Sequence, residues 1–123
     1  ESAIGEALTL RFRVRYQQYA QLWCHVPNGV VLRGSPAQRA MQMARLKKEG
    51  LTVGWPDYQL LVPRGKYHGL MLEIKSPKKK PTPEQLAIIA ALSAQGYMAE
   101  WAAGFDDSWA IVENYMQLGE YTA

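Results

Sequence analysis

Three side chains, Asp57, Glu73 and Lys75, carry the chemistry that this sequence offers most directly. Glu73 interrupts the apolar run Leu70-Met71-Leu72-Glu73-Ile74. A carboxylate in such a run is expected in a partly buried place, where an unpaired charge is costly. Residues two apart in an extended strand point to the same side, so Met71, Glu73 and Lys75 should share one face and Leu70, Leu72 and Ile74 the other. A buried Glu–Lys ion pair is the ordinary reading of Glu73 and Lys75 alone. Asp57 changes the balance, because it follows Gly54-Trp55-Pro56 and opens the preceding extended run. Pairing of the two runs would bring its carboxylate to the same end of a sheet as Glu73. Two carboxylates against one lysine leave an excess negative charge, and a hard divalent cation such as Mg2+, held by oxygen ligands, would balance it.

The elements that must position these residues can be read from periodicity and punctuation. From Ser2 to about Tyr19 the apolar residues Ile4, Leu8, Phe12 and Tyr16 recur every four positions, the stripe of a long helix. Trp23 to Leu32, rich in Val and broken by Pro27-Asn28-Gly29, reads as a bulged strand and turn. Ser35-Pro36 supplies an N-cap and a first-turn proline for a second helix running to about Glu49 and stopping at Gly50. Tyr58 to Val62 and Gly69 to Lys75, joined by Pro63-Arg64-Gly65-Lys66, form an expected hairpin. Thr82-Pro83-Glu84-Gln85 repeats the capping logic for a third helix to Gln95. Tyr97 to Ala102 reads as a further strand, and Asp106 or Asp107 can cap a last helix to about Leu118. The order α, β, α, β, β, α, β, α defines a mixed α/β fold, and residues 1–123 are expected to form one domain.

Composition narrows the function classes. Apolar residues make up 48% of the 123, and charged residues 20%, which is a globular and not a disordered balance. The single Cys24 excludes an internal disulfide framework and a multi-thiolate zinc site, and His25 and His68 cannot make up the deficit. Each histidine reads as structural, although His68, close to Glu73 along the chain, has a possible place near the substrate. Cys24 is expected to be a small buried hydrophobe. The four tryptophans read as core, with Trp55 in the turn before Asp57 the one candidate for contact with DNA or a partner subunit. No apolar run is long enough to cross a bilayer and the first residues carry no leader pattern, so no membrane is expected and a cytoplasmic location is the default. The net charge of +3 permits nucleic acid, and basic residues gather at Arg11, Arg13 and Arg15, at Arg39, Arg45, Lys47 and Lys48, and at Lys78, Lys79 and Lys80.

The order Gly54-Trp55-Pro56-Asp57, fifteen intervening residues, then Glu73-Ile74-Lys75 resembles the PD-(D/E)XK nucleases. Their virus-type replication–repair branch, VRR-NUC, is the nearer likeness. It adds a Pro-Asn-Gly, here Pro27-Asn28-Gly29, a lead like Tyr67-His68-Gly69 into the Glu-x-Lys strand, and a Pro-x-Gln opening the next helix, here Pro83-Glu84-Gln85. Singly these are weak signals; in this order they are a strong one, and they span nearly the whole chain. The resemblance implies a restriction-endonuclease-like core, a mixed central sheet flanked by helices. It implies that Asp57, Glu73 and the main-chain carbonyl of Ile74 hold Mg2+, with Mn2+ able to substitute, and that Lys75 handles the attacking water or the charge on the phosphate. Gln85 is the expected support, its amide on the inward face with Ile88, Ile89 and Leu92. A first-helix glutamate also belongs to the family pattern. Glu1 fits the apolar stripe better than Glu6, but Gly5 stands where a glutamine is usual.

What the resemblance implies for function is structure-specific cleavage of branched DNA, including Holliday junctions, by a homodimer. Arg39, Arg45, Lys47, Lys48 and Lys78 to Lys80 are the expected phosphate contacts. The rival readings are a flap-directed or restriction-like endonuclease with the same metal site, and a non-catalytic nucleic-acid-binding module that kept the fold.

Overall fold

A computed structural model describes residues 1–27 and 31–122 of the chain. Asn28, Gly29 and Val30, which include two thirds of the Pro27-Asn28-Gly29 signal, lie outside the described residues. Among the described residues four α-helices, α1 (Ser2–Arg15), α2 (Pro36–Lys48), α3 (Pro83–Ala94) and α4 (Phe105–Met116), accompany four strands. These are β1 (Trp23–His25), β2 (Tyr58–Leu60), β3 (Leu70–Lys75) and β4 (Met98–Ala103). The sheet order is β1-β2-β3-β4, antiparallel across the first two joins and parallel across the last. The mixed α/β class read from the sequence is what the chain adopts.

Alternation in β3 divides the molecule as expected. Leu70, Leu72 and Ile74 join Tyr58, Leu60 and Trp23 in a core closed by Leu8 and Phe12 of α1 and by Trp109, Val112 and Tyr115 of α4. Glu73 faces the other side, toward α3, whose Gln85 it meets. Both neighbours of β3 are strands, so all six of its residues are buried. The caps of α2 and α3 are complete boxes: Ser35 with Gln38, and Thr82 with Gln85, each serine or threonine followed by a proline that needs no hydrogen-bond partner at that position.

Three boundaries differ from expectation. The first helix ends at Arg15, where Tyr16 leaves helical geometry (φ −125°, ψ 58°), and a 3₁₀ turn over Gln17–Leu22 carries the chain to β1. Tyr16 and Tyr19 still pack on the core, so the apolar stripe outlasts the helix. β1 is only three residues long, because Pro27 has no N–H to continue a ladder. The last helix is capped by Gly104 and not by an aspartate; Asp106 and Asp107 sit in its first turn, where they complement the helix dipole. Cys24 is exposed, contrary to the expectation of a buried hydrophobe, because it points away from the core side that Trp23 occupies on this edge strand.

At Gly5, α1 lies directly against Tyr58 of the sheet. A Cβ at this position would collide with the Tyr58 hydroxyl, and Tyr58 is itself wedged between Trp23 and His25. Gly5→Ala should therefore lower the melting temperature. The gain of about 1 kcal/mol in helix propensity is offset by roughly 1–3 kcal/mol of overpacking. An unchanged or higher melting temperature would mean that the Tyr58 ring yields freely.

Candidate active site

β1 and β3 both run antiparallel to β2, so the ends of β1 and β3 and the start of β2 lie together at one end of the sheet. Asp57 immediately precedes β2, and the register Tyr58↔Leu72 sets it across from Glu73. Its carboxylate Oδ2 accepts a hydrogen bond from the Ile74 main-chain N–H at 2.8 Å, which fixes the acid against β3. The turn that delivers Asp57 depends on Gly54. That residue has φ +89°, and a Cβ there would stand 2.7–2.9 Å from the Glu84 and Gln85 backbone. Only glycine lets the turn lie directly on the first turn of α3, and this contact brings Asp57 and Gln85 to the same place.

Glu73 is 2% exposed and the nearby groups divide its two oxygens unequally. Oε2 accepts from Gln85 Nε2 at 3.1 Å and lies 3.4 Å from Lys75 Nζ. Oε1 is buried with no hydrogen-bond partner. Burial, and then the negative charge of Asp57, push the Glu73 carboxyl up to about 7 against the opposing pull of Lys75. Gln85 does two jobs at once: its Oε1 accepts from the Thr82 N–H as the return bond of the capping box, and its Nε2 holds Glu73. One side chain thus closes the cap of α3 and holds Glu73.

An orphaned, buried carboxylate oxygen next to a second carboxylate is the donor set that a hard divalent cation suits, and it leaves a need that the lysine does not fill. Glu1 is placed differently. Its Oε2 accepts from the Ser76 N–H at 3.3 Å and meets Ser76 Oγ at 3.4 Å, just beyond the end of β3. Among the described residues no three Asp, Glu, His or Cys side chains are grouped closely enough to hold a metal, so Glu1 is not brought to Asp57 and Glu73 as a third ligand. Glu6 is exposed on the outer side of α1.

The basic residues expected to meet phosphate are exposed. Lys78, Lys79 and Lys80 are exposed in the loop after Lys75. There Lys79 N donates to Ser76 O at 3.1 Å and Lys78 takes φ +71°, so Pro77 and Lys78 form the centre of a tight turn. Arg39, Arg45, Lys47 and Lys48 are exposed on α2, which leaves the sheet after β1 and returns to it at Asp57. A cleft of about 730 Å³ runs along α2, lined by Leu32, Arg33, Met41, Gln42, Arg45 and Leu46 among others. His68 is not at the site. It precedes β3 at the far end, roughly 16 Å from Glu73 along the strand, with its ring against Tyr97 and Tyr121. His25 is the histidine at the site, its Nδ1 lying 3.1 Å from the Asp57 carbonyl oxygen. The signal for it in the sequence is slight: a polar ring at the end of an edge strand, before the Pro27 that ends the strand.

The profile of the VRR-NUC domain matches residues 6–106. A solved structure described as a VRR_NUC domain protein superposes with a TM-score of 0.84 at 25% identity, covering 99% of this chain and 92% of that one. No curated protein sequence matches. The chain thus falls within the nucleases of the PD-(D/E)XK type, a class that generally uses divalent metals. Within that class, the chain belongs to the VRR-NUC domain family. No helix among the described residues is long and apolar enough to cross a membrane.

Proposed function

We propose that this chain is a Mg2+-dependent endodeoxyribonuclease that cuts branched DNA as a homodimer, in the manner of a Holliday-junction resolvase. The observation that carries the metal assignment is the Glu73 Oε1, buried and without a hydrogen-bond partner beside Asp57. Asp57, Glu73 and the Ile74 carbonyl would hold the cation, with Mn2+ able to replace Mg2+. When bound, such an ion polarises a phosphate oxygen and lowers the pKa of water. The protein's own groups do the rest. Lys75 places a positive charge next to the carboxylates, where the negative charge on the phosphate grows as water attacks phosphorus and the bond to the leaving oxygen breaks. Gln85 keeps Glu73 from turning away from that position. Glu1 remains a provisional contributor, linked to the end of β3 through Ser76.

The exposed lysines and arginines of the Lys78–Lys80 turn and of α2 support a phosphate backbone as the substrate, bound through charge and not by base reading. Exposed apolar side chains support the dimer: Leu10 is 68% and Val14 64% exposed on the outer side of α1, and Met41 is 73% exposed on α2. The test is Mg2+-dependent cleavage of a labelled four-way junction beside linear duplex and flap DNA, with the mass of the protein in solution. Junction cleavage by a dimer is expected. Asp57→Ala and Glu73→Ala should abolish it and leave junction binding largely intact. Preference for a flap or for duplex would transfer the assignment to a flap-directed or restriction-like enzyme. Binding without cleavage of any substrate would leave a non-catalytic module.

A further inference from the structure

We propose that His25 is a positioning residue for Asp57, acting through the main-chain carbonyl of that aspartate and through the ring of Tyr58. The inference rests on the reading of Asp57 as a metal ligand. Of the two carboxylates that meet at the end of the sheet, Glu73 is set by β3 while Asp57 lies outside any strand or helix, so its placement must come from contacts on both sides. On the side of β3 there is the Ile74 N–H to its carboxylate. On the side of β1 its carbonyl oxygen takes two hydrogen bonds: Val26 N–H at 2.7 Å and His25 Nδ1 at 3.1 Å. A carbonyl can only accept, so the His25 proton on that edge of the ring is at Nδ1.

The ring that donates is itself held. His25 packs on Tyr58 with centroids 4.8 Å apart, Tyr58 stacks on Trp23 at 4.9 Å, and Trp23 stacks on Phe12 of α1 at 5.0 Å. Four rings thus connect the buried side of α1 with the residue next to Asp57. Tyr58 has no space to retreat toward α1, because its hydroxyl lies against Gly5. The place that a longer side chain at position 5 would take is filled by Tyr58, so the departure from the family pattern at Gly5 and the bracing of Asp57 are one arrangement. Groups that orient a metal-binding residue from outside the ligand set commonly contribute 10–100-fold to metal affinity or activity.

Three substitutions separate the donor from the ring. His25→Asn offers a side-chain N–H at about the distance of Nδ1 and removes the ring. His25→Phe keeps a ring on Tyr58 and removes the donor. His25→Ala removes both. Mn2+ binding to the full chain, read from the electron paramagnetic resonance signal of free Mn2+, is compared with kcat and KM for junction cleavage. The expected result is that His25→Phe and His25→Ala weaken Mn2+ binding by about tenfold and lower kcat with KM unchanged, and that His25→Asn restores both. Mn2+ uptake by the wild type with the same affinity in His25→Phe overturns this proposal alone. So does failure of His25→Asn with KM raised, which would mean that the ring contacts DNA. A wild-type protein that takes up no Mn2+ overturns the metal reading of the site and this proposal with it.

Discussion

Glu73→Gln should make the metal-free protein more stable above neutral pH while it removes nuclease activity. The Glu73 carboxyl is pushed from its ordinary 4.5 to about 7, first by burial and then by the charge of Asp57. A carboxyl raised on folding means that the folded state binds more protons than the unfolded one between those two values. Its contribution is therefore most favourable below pH 4.5 and is lost as pH rises through about 7. Above that, the buried charge costs up to about 3 kcal/mol, since each tenfold change in proton affinity on folding is worth about 1.4 kcal/mol. Glutamine carries no charge to desolvate and keeps an acceptor for Gln85 Nε2. The variant should match the wild type in acid and melt higher in mild alkali, by roughly 5–10 °C. Mn2+ should then raise the melting temperature of the wild type and not of the variant, because only a binder of the folded state stabilises it. Thermal melts across pH, with and without Mn2+, check this. A difference that does not vary with pH would show that Glu73 is not a strained acid.

Lys75→Ala is expected to separate catalysis from metal binding. Lys75 is 9% exposed and its ammonium lies 3.4 Å from Glu73 Oε2, with no other salt bridge among the described residues to hold it elsewhere. If its charge acts on the phosphate, its removal should slow single-turnover cleavage by roughly 10²–10³-fold. Affinity for Mn2+ should hold or tighten, because the carboxylates lose a competing positive charge. Asp57→Asn should do the reverse and lose Mn2+ along with cleavage. A parallel loss of Mn2+ in Lys75→Ala would mean that the lysine only shapes the carboxylates, and its place in the chemistry would have to be given up.

Much of the fold and of the site is legible in the sequence because strand alternation is local. The two faces of β3 follow from six consecutive residues, and the caps at Ser35 and Thr82 from short polar patterns before proline. What stays hidden depends on contacts distant in sequence. Nothing local to Gly54 says that it must lie on Glu84 and Gln85, and nothing local to Gly5 says that Tyr58 fills the space beside it. His68 misleads because closeness in sequence to Glu73 is distance along an extended strand, at about 3.3 Å per residue. His25 reads as merely structural for the opposite reason, since its partner Asp57 is thirty-two residues away. The end of α1 at Arg15 is masked because the apolar period continues through a change of backbone geometry at Tyr16.

The bond from Val26 N–H to the Asp57 carbonyl closes the stem of a long excursion that contains α2, none of whose residues is buried. The entropy of closing such a loop grows slowly, by about 0.6 kcal/mol for each doubling of its length. The sheet and the acids are therefore largely insulated from α2, while the Gly54 turn that follows it stays packed on the first turn of α3. α2 is thus the part of the scaffold where segments can be exchanged without rebuilding the site.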